Sequence, residues 1–138
     1  MSLGYIGFCR KIDEDIFSAV YEYSGENWND RRSMHGDARL FDGVFVIDKC
    51  CLEEPALIPS TFRAASGSEW DITGRALHIP RINKHINDGN IKVLRECKNA
   101  FRRSEGEVTD YIAGKLLHTI FIQYQKDGKM PDKAAFIR

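Results

Sequence analysis

Between residues 75 and 103 the chain gathers the side chains best suited to chemistry on an anion: Arg75, His78, Arg81, Lys84 and His85, then Lys92, Arg95, Lys98, Arg102 and Arg103. Two kinds of chemistry use these residue types. Two imidazoles and a lysine can cleave RNA by general acid–base catalysis, the lysine stabilising the anionic transition state. His78, Lys84 and His85 supply the types for that reaction, but their spacing supplies no geometry. A row of cations can instead bind phosphates or an acidic protein surface without any reaction. The candidate binding residues are Lys92, Arg95, Lys98, Arg102 and Arg103, extended by Arg81, Lys84 and His85.

Other reactive types are present without a supporting pattern. His118 stands among apolar residues and reads as structural, and His35 falls in a polar loop. No two histidines stand four apart, and H-E-x-x-H is absent. Asp13, Glu14 and Asp15 are not followed by the glutamate that completes a calcium loop. Cys9, Cys50, Cys51 and Cys97 form no C-x-x-C pair and read as reduced thiols in or near the core. Phosphate-loop, dinucleotide and nucleophile-elbow signatures are missing. The expectation is therefore no metal, no cofactor and a non-catalytic role.

The elements that must position the cations follow from periodicity. A chain of 138 residues fits one domain, 1–138, and its 43% hydrophobic content is enough to build a core. Gly4–Arg10 reads as a strand. Asp13 reads as the cap of a helix to about Ser24, closed by Gly25, with Ile16, Ala19, Val20 and Tyr23 on one face. Val44–Ile47 reads as a buried strand at 43–48, although 38–52 also fits helical spacing. Ser60 reads as the cap of a short helix. Residues 69–79 read as a weak hairpin turning at Thr73–Gly74. A helix over 90–103 places Val93, Leu94, Cys97, Ala100 and Phe101 inward and Arg95, Lys98 and Arg102 outward. Ser104–Glu107 matches a capping box for a central helix over 106–126. Phe136 and Ile137 read as a docking tail. The resulting fold is α+β: a small antiparallel or mixed sheet against three main helices, with an all-α bundle as the alternative if 38–52 is helical.

Charge and hydropathy bound the partners. Residues 1–69 carry 7 Lys and Arg against 12 Asp and Glu, and residues 70–138 carry 13 against 8, so a front half of −5 meets a back half of +5. Overall neutrality gives no general attraction to nucleic acid. The most apolar window, Leu116–Tyr124, is interrupted by His118 and Gln123, and no run approaches the roughly 20 residues that span a bilayer. Without a leader-like start, a cytoplasmic location is expected. The small, motif-poor, mixed-charge profile is similar to that of immunity-type and accessory proteins, a likeness of style that no residue carries. The leading functional expectation is a module that binds another protein through a charged face. Binding or cleavage of RNA or DNA by the basic strip at 75–103, and a small-molecule enzyme with a dispersed site, are the alternatives.

Overall fold

The first third of the chain alternates rather than coils. Ala19, Tyr21 and Tyr23 point one way while Val20 and Glu22 point the other, the two-residue period of a strand. β1 (Tyr5–Glu14) and β2 (Ser18–Asn27) thus form an antiparallel hairpin, correcting the helix expected over 13–24. The turn is held by Asp15, whose carboxylate accepts the Phe17 and Ser18 amides at 2.7 and 2.8 Å. Ile16, expected on a buried helical face, is 80% exposed at that turn.

The computed structural model describes residues 5–27, 41–54, 56–57, 69–70, 75–102 and 106–137. β3 (Gly43–Asp48) is the strand expected there, and a 3-10 turn follows at Lys49–Cys51. β4 (Ala56–Leu57), β5 (Glu69–Trp70) and β6 (Arg75–Leu77) make a small sheet in the order β4-β6-β5. The 70–79 region therefore pairs outside the main sheet. α1 (Ile82–Asn87) is a short helix that periodicity did not indicate. β7 (Ile91–Arg95), α2 (Tyr111–Asp127) and β8 (Lys133–Ile137) complete the chain. The main sheet has five strands in the order β7-β3-β2-β1-β8, each pair antiparallel.

Among the described residues, three main helices are thus replaced by one long helix and one short one, and neither the three-helix arrangement nor the all-α alternative survives. The segment expected to coil over 90–103 pairs instead with β3, Ile91 opposite Ile47 and Val93 opposite Phe45. Its apolar residues suit either period over so short a run, and the free edge of β3 decides between them. The last long helix starts later than expected. Asp110, not Ser104, is its cap: the carboxylate accepts the Ala113 amide at 2.9 Å. Gly128 closes it in the left-handed conformation at φ 75°, donating to Tyr124 O. Trp28, His35, the short helix after Ser60, the Thr73–Gly74 turn, Ser104 and Arg103 lie outside the described residues.

The core lies between one face of the sheet and α2. Cys9, Ala19, Tyr21, Tyr23, Phe45, Ile47 and Ile91 meet Ile112, Ala113, Leu116, Leu117, Ile120 and Phe121. Gly7 and Gly25 face each other across β1 and β2, and Ile112 sits in the space they leave. No helix among the described residues is long and apolar enough to cross a membrane.

Candidate functional site

α2 carries four residues on one side at a helical interval: Tyr111, Gly114, Lys115 and His118. Opposite them lies the entry to α1, with Pro80, Arg81, Ile82, Asn83 and Lys84. Between the two helices runs an open cleft of about 490 Å³, closed at one end by Glu107, Thr109 and Asp110. That volume is in the range of small-ligand pockets. Arg81, Lys84, Lys115 and His118 bring positive or protonatable groups to its walls from two elements, against the half-buried carboxylate of Glu107 and the buried one of Asp110.

The floor is rigid. Asp110 is fully buried and held by the Ala113 amide and by the Tyr23 hydroxyl, which donates at 2.8 Å. The same hydroxyl accepts the Cys97 amide at 3.2 Å, so the sheet, the 97–101 turn and the helix start share one network. Burial raises the Asp110 carboxyl above its ordinary range, partly offset by those two bonds. Thr109 is 7% exposed, and among the described residues its Oγ1 has no hydrogen-bond partner. A buried hydroxyl without a partner loses the bond it would have in water. The oxygen itself is buried, and the Thr109 methyl is the part that lies nearest the Gly114 wall.

The cations are available to different degrees. Lys115 lies 5.7 Å from the Tyr111 ring centroid and has no carboxylate partner among the described residues. Lys84 reaches Asp88 and Arg81 reaches Glu53, both at 3.3 Å with mostly exposed cationic side chains. Exposed pairs of this kind contribute little and exchange readily.

The expected binding residues separate accordingly. Arg81 and Lys84 are brought together at the cleft. His85 is on the same short helix but turns inward, 6% exposed and stacked on Phe121 at 5.8 Å. Neither ring nitrogen has a hydrogen-bond partner among the described residues, and burial lowers its pKa, favouring the neutral ring. It is out of a substrate's reach, and His78, whose backbone is clasped by Gln125, sits exposed beside Glu53. The acid–base pair allowed by residue type is therefore not assembled. Lys92, Arg95, Lys98 and Arg102 form no common row, because a strand sends Lys92 and Leu94 to one face and Val93 and Arg95 to the other. Arg95 donates to Asp42 O at 2.6 Å, and Arg102 pairs with Glu96 at 2.5 Å. Lys98 follows the strand, its amide bound to the Asp42 carboxylate.

Three cysteines are inert by position. Burial pushes the thiols of Cys9 and Cys97 up to about 12 and that of Cys51 to about 11, far from the thiolate needed for attack or ligation. Sequence reasoning did not single out Lys115, and it read His118 as structural by default. The readable signal was the polar and small residues at 114, 115 and 118, which interrupt an otherwise apolar helix on one side. Comparison of the chain with protein-family models, with curated proteins and with solved structures gave no match in any of the three.

Proposed function

We propose that this protein is a non-catalytic binding module that holds an acidic segment of a protein partner in the cleft between α1 and α2. The observation that carries this reading is the placement of Arg81, Lys84, Lys115 and His118, from two helices, in the lining of one open cleft. A carboxylate-bearing chain matches such a site in charge. A nucleic acid is the weaker fit. Binding it needs cations spread along a backbone track, whereas Lys92 points away from Arg95, and Arg95 is bonded to Asp42 O.

The test is fluorescence anisotropy of the whole chain with a glutamate- and aspartate-rich peptide, beside a single-stranded oligonucleotide of equal charge. Peptide binding should weaken with salt and fall about tenfold or more in Lys84→Glu/Lys115→Glu, a change expected where two attractive charges become repulsive. Equal peptide binding by wild type and variant would remove the cleft from the function. Tighter binding of the oligonucleotide would move the assignment to nucleic acid.

A further inference from the structure

The β1–β2 turn is an apolar tip on a fixed support. Ile16 is 80% and Phe17 73% exposed, with Ile12 52% exposed beside them. Exposed apolar residues are ordinary when single and mobile. These are adjacent and held. Asp15 accepts two turn amides, its own amide is bound to Ser18 O at 2.9 Å, and Phe17 O accepts the Lys49 amide at 2.8 Å. An aromatic side chain presented on a preorganised turn is the type of residue that anchors an interface, because little ordering remains to be done on binding.

The surroundings of the tip are acidic. Asp13, Glu14, Asp15, Asp48 and Asp132 gather at this end of the sheet. Lys11 pairs with Glu14 and Asp132, and Lys49 with Glu14. This charge disfavours an anionic lipid surface. It matches one feature of the molecule itself: the cleft between α1 and α2 is cationic and carries Pro80, Ile82 and the Tyr111 ring in its lining. The tip is tied to its own sheet end, where the Lys49 amide is bound to Phe17 O. The turn lies at the sheet end where Asp48 bonds Asn90, whereas α2 begins over the Gly7–Gly25 pair at the other end.

We infer that the Ile16–Phe17 tip of one copy docks in the α1–α2 cleft of a second copy, giving a head-to-tail association. The inference rests on reading the cleft as a site for acidic segments and goes beyond it by naming an occupant. The contact is heterologous, so each dimer keeps one free tip and one free cleft, and growth continues with concentration. The charge match makes the association weaken with salt.

Sedimentation velocity over a concentration series tests it. Wild type should show a sedimentation coefficient that rises with concentration at low salt. Ile16→Ser/Phe17→Ser removes the tip, and Lys84→Glu/Lys115→Glu spoils the cleft; all four positions are at the surface, and circular dichroism checks that each variant folds. Each variant alone should sediment as a monomer, with self-association weakened about tenfold or more. Mixed together they should form a one-to-one complex that grows no further, since only one sound tip and one sound cleft remain. A wild type that stays monomeric throughout would overturn the inference, as would association untouched by either variant or a mixture without complex. If the acidic peptide still binds the cleft in that case, the proposed function stands and only its occupant is wrong.

Discussion

α2 passes glycine twice, and the two encounters are opposite in kind. Under its first turn, Gly7 and Gly25 leave a hollow that Ile112 fills, so that a Cβ on Gly25 would overlap Ile112 Cδ1. On its other side, Gly114 faces the cleft, and a Cβ there would meet Thr109 Cγ2 at 3.7 Å, an ordinary contact and the one side-chain neighbour within 4 Å among the described residues. One glycine lets two elements close; the other stands at an open wall with room to spare. The same residue type thus serves packing at one wall of the helix and vacancy at the other, and only the neighbour on the far side distinguishes them.

The contrast can be broken most forcefully at the packed wall. Gly25→Val should destabilise the protein by about 3 kcal/mol, because a closely packed seat has no room for a branched side chain. Urea denaturation measures this, and Ile112→Ala should recover part of the loss if the clash is the cause.

The network joining the two walls comes next. Tyr23→Phe removes the donor to Asp110 and the acceptor of the Cys97 amide, both buried, and should cost about 2 kcal/mol in the same measurement.

Asp110 adds a pH signature. Its folded pKa is raised, so the folded state holds its proton more tightly than the unfolded chain. Its contribution is full below the unfolded value and is lost as pH rises through the folded one. Wild-type stability relative to Asp110→Asn should therefore fall over that window, with a slope of at most about 1.4 kcal/mol per pH unit, the limit for one proton. Denaturation curves at stepped pH would refute this if the difference between the two proteins stayed flat or rose.

The smallest effect sharpens the comparison from the open side. Gly114→Ala should stabilise the protein by about 0.5–1 kcal/mol, since alanine is the better helix former and the space is free. A loss of thermal stability instead would mean that the wall at Gly114 is as tight as that at Gly25.

Legibility in the sequence followed how local each decision was. β3 could be read because Val44–Ile47 is a short β-prone run between turn residues. The end of α2 could be read because Asp127–Gly128 stops a helix by backbone chemistry alone. Residues 13–24 misled because Ile16, Ala19, Val20 and Tyr23 satisfy a helical interval while Ala19, Tyr21 and Tyr23 satisfy a strand interval; register with β1 and β3 settled it. Of the candidate site, Arg81 and Lys84 were legible as cations, but Lys115 and Thr109 lie some thirty residues away and join them only when α1 lies against α2.

By itself, then, the sequence determined the ingredients: a chain apolar enough for a core, an acidic front and a basic back, no recognisable catalytic signature, and one helix too apolar to be anything but central. Tertiary structure alone decided that residues 91–95 extend rather than coil, that His85 faces Phe121 instead of solvent, and that a cleft opens beside Gly114. The reason is physical. Composition and capping act within a few residues, whereas the choice between strand and helix in a short ambiguous run, and the facing of a side chain, depend on an edge or a surface supplied from far along the chain.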